Sequence, residues 1–259
     1  MKRNWRVYLL SIGILILIIG SWKFYIIKYD ISDYMLPSPE KVLFKFIEIL
    51  LDGTLLRHSF ATSMAIILGF GIGSGLGFFG GNLLTKSRSV EKTIMPYVFI
   101  LQSTPKVAFI PLLVIWFGLG FASKLILVVL SAFFPVMLNT LMSFKSIDPS
   151  YFELMNILKA TKRQIVFKVK VPLSMPMIFA GLKVGMVQSV IGAIVSEWVS
   201  GQSGLGYLLV FGSTQFSSDL LMAGIFATTF LGLFFYGIIA VVENKVLFWH
   251  RTKQIVLEA

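Results

Sequence analysis

The amino-acid sequence predicts an all-α integral membrane protein with about six transmembrane helices. Three observations carry this reading. Long apolar stretches alternate with short polar ones, only 14% of the 259 residues are charged against roughly 25% in a soluble domain, and the bases collect in every second polar segment. Hydrophobic residues reach 56% and mean hydropathy is +0.85, so water is not the main solvent.

A helix needs about 20 mainly apolar residues to cross the hydrocarbon layer. Six segments qualify, at 7–27, 60–84, 95–117, 122–142, 177–198 and 222–248. The first follows Met1-Lys2-Arg3-Asn4-Trp5-Arg6, a charged start like that of a signal peptide. Its apolar stretch resumes after Gly20-Ser21 and no small-x-small site follows, so it reads as a retained span.

With the amino terminus inside, the inner polar segments gather fifteen Lys and Arg residues. The outer ones hold Lys28, Lys41, Lys45, Arg57 and Lys124, diluted by Asp30, Asp33, Glu40, Glu48 and Asp52. The positive-inside rule then puts both termini in the cytoplasm. The expected organisation is a first span with an outer interfacial helix over 1–58, a core of about five spans over 59–248, and a cytoplasmic tail over 249–259.

The outer helix has Ser38 as its cap and Pro39 in its first turn. It carries Leu43, Phe46, Ile47, Leu50 and Leu51 on one face, ends at Gly53, and is expected to lie flat on the membrane surface. In the second span Gly69, Gly73, Gly77 and Gly81 recur every four residues, a stripe where another helix backbone can approach closely. The inner loop at 143–176 is too long for a simple connection and reads as two short helices. Asp148 and Pro149 start the first, which buries Tyr151, Leu154, Met155 and Leu158; Thr161 caps the second, which carries Ile165, Val166 and Val169 until Pro172 stops it.

Several function classes drop out. A formal charge of +11 could suggest nucleic acid, but these bases lie in short runs between spans. There is no cysteine, and the only histidines, His58 and His250, lie far apart beside span ends, so no metal site is expected. The glycine-rich second span follows no strand, and no Gly-x-x-x-x-Gly-Lys-Ser/Thr occurs, so the chain itself offers no phosphate loop and no cofactor site. A membrane enzyme would need a convergent His, Cys or Asp set, which is not seen. A secondary transporter or channel is the alternative with the same span count, but it would call for intramembrane carboxylates or matching halves.

Within the inner loop, Glu153-Leu154-Met155, three residues, Lys159, nine residues, Val169, one residue and Val171-Pro172 resemble the EAA loop of ABC importer permeases. That pattern is Glu-Ala-Ala, three residues, Gly, nine residues, Ile, one residue, Leu-Pro. The spacing matches throughout. Lys159 is the main departure, since a lysine at the positive φ that the family glycine adopts costs roughly 1 to 2 kcal/mol. From Leu36 to Trp249 the chain is also similar to the permeases for nitrate, sulfonates, taurine and thiamine precursors. The pieces that carry this are Leu36-Pro37-Ser38-Pro39, the run from Pro105 through Leu112 into Trp116-Phe117-Gly118, Ser196-Glu197-Trp198, and the run from Gly204 through Leu209.

The resemblance implies a type I importer permease, itself non-catalytic, forming a homodimer in membrane lipid. It implies two cytosolic ATPase subunits that hold ATP and Mg²⁺, and an extracytoplasmic solute-binding protein. Glu153, Leu154, Met155, Leu158, Lys159, Ala160 and Pro172 would form the ATPase-coupling surface. The cargo would be a small anion of the nitrate, sulfonate or taurine kind, or a pyrimidine-type precursor.

Lys106 falls near mid-membrane in the third span, where an ammonium is expensive and suspected of function. Prolines at 105 and 111 suit a broken helix beside a solute path, though pairing with freed carbonyls or a carboxylate would also satisfy the lysine. Glu197 falls near the outer end of the fifth span. With Gly204, Gly206 and Tyr207 it is expected either at an outer gate on the path or at the exposed surface.

Overall fold

The computed structural model describes residues 5–248; the expected tail at 249–259 and the first bases, Lys2 and Arg3, lie outside them. Among the described residues five helices are long and apolar enough to cross a membrane, or six when the bent pair Arg88–Ser103 with Lys106–Phe117, which turns by 87°, is counted as one span. The third span is therefore broken rather than straight. Thr104 precedes Pro105, and the proline ring disfavours helical backbone at the residue before it; Thr104 accordingly sits at φ −69°, ψ 130° and ends the helix.

Helix α1 (Trp5–Tyr29) stands at the edge, and its apolar residues, such as Leu10 and Leu17, are exposed as a lipid-facing surface would be. Its link to α2 (Pro39–Leu51) includes the Lys23–Glu40 ion pair. The Ser38 hydroxyl accepts from the Lys41 N–H at the start of α2. Val42 and Ile49 of α2 are buried and Phe46 meets Phe230 at 6.3 Å, while Leu43 and Leu51 of the expected apolar face are exposed. The helix rests on the bundle with one stripe and leaves the neighbouring stripe for lipid.

The core of the bundle is the packing of α3 (Thr54–Leu84), α6 (Phe121–Lys145) and α9 (Val171–Ser200). Gly69, Gly73, Gly77 and Gly81 are all buried against α6, which runs parallel to α3. A Cβ at Gly77 would stand 2.6 Å from the Phe133 carbonyl oxygen and one at Gly81 2.5 Å from that of Met137, so the stripe is a seam of near backbone contact. Gly181 and Gly192 play the same part between α9 and α6. Helix α10 (Leu205–Thr214) and helix α11 (Ser218–Val246) close the other side, where Ile66, Val190, Leu205 and Leu220 share one apolar cluster.

Helix α4 (Arg88–Ser103), a 3-10 turn at Lys106–Phe109 and α5 (Ile110–Phe117) form the bent arm on α6. The inner loop holds α7 (Pro149–Ile157) and α8 (Lys162–Ile165). Pro172 does not stop the second loop helix, contrary to expectation. Helix α8 passes through a π turn at Val166–Lys170, whose bond from the Val171 N–H reaches back to Val166, and continues as α9. Pro172 falls in the first turn of α9, and the widened turn before it takes up the place where its ring would clash. The fifth span thus belongs to one continuous helix, Lys162–Val199.

Candidate functional site

Three places bring chemistry-bearing residues together: the inner loop, the bend at Lys106, and the end of the bundle around Glu197.

The loop is stiffened by its own backbone chemistry. The Asp148 carboxylate accepts from the Ser150 N–H at 2.9 Å, a bond that holds this exposed carboxyl below its ordinary value, so the cap stays charged through neutral pH. Helix α7 ends in a Schellman motif, with the Ala160 N–H bonded to Met155 O and the Lys159 N–H to Asn156 O, both at 2.9 Å. Lys159 takes the left-handed conformation at φ 52°, so the lysine adopts the turn that a glycine would make without strain. Thr161 and Gln164 then form a reciprocal capping box: Thr161 Oγ1 accepts from the Gln164 N–H at 3.3 Å, and Gln164 Oε1 accepts from the Thr161 N–H at 2.8 Å.

The side chains expected to be buried there are not buried within the chain. No residue of α7 is; Glu153 is exposed, and Leu154 and Leu158 are 54% and 66% exposed. Tyr151 is exposed and Met155 half-buried. An apolar face on a rigid, self-capped helix is left with nothing among the described residues to cover it.

At the bend, Lys106 lines a cavity of about 260 Å³ between α4, α6 and α9, together with Gln102, Thr104, Ser131 and Gln188. Its ammonium lies 6.0 Å from the centre of the Phe134 ring. The alternative of a carboxylate partner is not realised among the described residues.

Glu197 is fully enclosed rather than at the surface. It is 1% exposed and accepts from the Lys124 ammonium at 2.7 Å and from the Gly206 N–H at 2.8 Å. Thr62 Oγ1 lies 2.9 and 3.0 Å from its two carboxylate oxygens and accepts in turn from the Leu205 N–H at 2.8 Å. The expected glycines now have a reason: a Cβ on Gly204, at φ 120°, would collide with the Glu197 carboxylate, and one on Gly206 with the Ile194 carbonyl. The Gly204 N–H donates to His58 Nδ1 at 3.0 Å, and Tyr207 stacks on His58 at 5.6 Å. The 204–209 segment is thus the tethered start of α10, tied by Glu197 and His58 to α9 and α3.

Sequence reasoning missed half of this cluster. Lys124, counted among the outer bases, is 4% exposed in the first turn of α6; Thr62 and His58 carried no signal, since their partners lie 135 and 146 positions away. A second pair also escaped, Lys183 with Glu243 at 2.9 Å across α9 and α11. The described residues contain no group of His, Cys, Asp or Glu able to hold a metal.

A family model described as the binding-protein-dependent transport system inner membrane component matches residues 65–248. The chain belongs to this family. It is 34% identical over 220 residues to the formylaminopyrimidine transport permease protein of Halalkalibacterium halodurans, covering 85% of this chain and 88% of that one. To the taurine transport system permease protein of Escherichia coli it is 27% identical, covering 98% and 95%. Among solved structures it resembles a chain of the inward-facing MetNI methionine ABC transporter, with a TM-score of 0.65 at 18% identity over 74% of this chain and 96% of that one.

The protein is therefore a multi-pass permease component of an ABC transport system for a small solute, with the type I importer fold. This decides against a secondary transporter or channel. Such permeases are non-catalytic and work with a separate ATPase subunit and a binding protein.

Proposed function

We propose that this permease couples ATP hydrolysis to import by seating α7 on its ATPase partner, which holds the ATP and Mg²⁺. Glu153, Leu154, Met155, Leu158, Lys159 and Ala160 form the contact, with Pro172 at the root of the helix that carries motion into the membrane. The observation that carries this is the uncovered apolar face of α7 between its Asp148 cap and its Lys159 turn. A helix held rigid on both sides transmits displacement, whereas a flexible loop would absorb it.

In this reading the 146–161 end and both termini are cytoplasmic, in keeping with the fifteen bases of the inner segments. The Glu197 end, with Gly204, Gly206 and Tyr207, then faces the binding protein as the outer gate. Two copies of the chain enclose the path in the lipid of the inner membrane, with the Lys106 bend lining it. The cargo is a small solute of the kind named for the relatives, a sulfonate such as taurine or a pyrimidine precursor.

Glu153→Lys tests the docking role. It is expected to reduce copurification of the ATPase at least tenfold while the permease remains in the membrane. Normal assembly and transport by that variant would remove α7 as the coupling element.

A further inference from the structure

We propose that the cavity at the α4 bend is an anion-binding subsite of the permease itself, with Lys106 as the charge partner of a small, singly charged oxyanion group. This rests on the permease reading above and concerns a different part of the chain from the docking loop.

The first observation is a contrast among lysines of the membrane-spanning helices. Lys124 pairs with Glu197 at 2.7 Å, Lys183 with Glu243 at 2.9 Å, and Lys23 with Glu40. Lys106, half-buried at the break of the third span, makes no hydrogen bond or ion pair among the described residues. An ammonium at that depth is expensive without a partner. Carboxylates of the chain meet these three, whereas Lys106 faces a cavity.

The second observation is the chemistry of the wall. The lining contains one cation and no carboxylate. Gln102 and Gln188 add amide groups that make no side-chain hydrogen bond among the described residues. The Thr104 and Ser131 hydroxyls already donate to Ile100 O at 2.9 Å and Leu127 O at 2.8 Å, so they leave the donor role toward a ligand to Lys106 and the two amides. Three free donors, one of them charged, around one cavity suit an oxyanion and disfavour a cation.

The third observation is size and place. A cavity of about 260 Å³ is well above what a single water needs. That fits a small anion or the acidic end of a larger solute. Gly192 keeps the wall close-packed, since a Cβ there would stand 2.8 Å from Ser131 Oγ. Ser131 lies two turns along α6 from Lys124, so the cavity sits about 10 Å deeper in the bundle than the enclosed charge pair.

The test is titration calorimetry on the permease–ATPase complex in lipid nanodiscs, with methanesulfonate as the probe and dimethyl sulfone as its uncharged counterpart. Methanesulfonate is expected to bind the wild type at least tenfold more tightly than the sulfone. Lys106→Met should lose that binding at least tenfold, Lys106→Arg should keep most of it, and Lys168→Met, which removes an exposed cation on the loop side, should bind as the wild type does. If Lys106→Met fails to assemble, Gln188→Ala reads the same site through a severalfold loss. Equal binding of the two probes, undiminished binding to Lys106→Met or Gln188→Ala, or no methanesulfonate binding to an intact wild-type complex would each overturn the subsite. Copurification of the ATPase is scored separately, so an assembled complex that ignores the anion counts against this site alone and leaves the docking role of α7 standing.

Discussion

The two ends of the bundle are held together in opposite ways. Around Glu197 the bonds from Lys124 and Thr62 and the bond between Gly204 and His58 all join residues distant in sequence, and the charge pair is sealed from solvent, with side-chain exposures of 5% and 0% for Lys124 and Glu197. At the inner loop every cap is met within a few residues, and no side chain of α7 is buried. One end is specified by tertiary structure, and the other by local structure that leaves a face free. On the proposed roles, an outer gate gains from partners that cannot separate singly, and a docking helix gains from having its shape before the partner arrives.

Lys124→Met should show the largest difference between them. It strands Glu197 as a buried charge without its counter-ion, an effect of about 3 to 5 kcal/mol in comparable pairs. Thermal unfolding in detergent should fall steeply, and Lys124→Met with Glu197→Met should recover part of the loss. Copurification of the ATPase by the protein that does fold should be unaffected. Equal damage to docking would dissolve the contrast between the ends.

Thr161→Ala acts on the other end and should act only there. Loss of the capping box costs about 1 kcal/mol, expected as faster amide exchange in 162–165 with no change at 204–209. Weaker ATPase binding should accompany it. The smallest effect is expected from Lys159→Gly, which relieves the strain at φ 52° but adds chain entropy in the unfolded state. The net should be a gain of under about 1 kcal/mol in loop protection, with docking retained. A clear loss of docking would mean that the Lys159 side chain itself contacts the partner.

The same division explains what could be read from the sequence. Spans, caps and the loop helices are local signals: apolar length, Ser38 before Pro39, Asp148 before Pro149, and Thr161 three residues ahead of Gln164. The break at Thr104-Pro105 was legible for the same reason. What escaped depends on distance or register. Lys124 looked like an outer base because Glu197 is 73 positions away. Pro172 looked like a stop because a π turn leaves no mark that separates it from a helix end. The stripe of α2 that meets protein, Val42 and Ile49, was not singled out because an interfacial helix is apolar on the lipid side as well, so hydrophobicity alone does not say which stripe is buried.

The continuity of Lys162–Val199 has a mechanical consequence. Its 38 residues make a rod of about 57 Å at 1.5 Å per residue, with the Thr161 cap at one tip and Glu197 almost at the other. A pivot of about 5° around its middle would swing each tip by roughly 2.5 Å, and its soft joints, the π turn and Pro176, both lie toward the loop tip. That travel is close to the whole length of the Lys124–Glu197 bond, 2.7 Å. On the proposed docking role, leverage applied at the loop would arrive at the far tip on the scale of that ion pair, where Thr62 and the Gly206 N–H also hold Glu197.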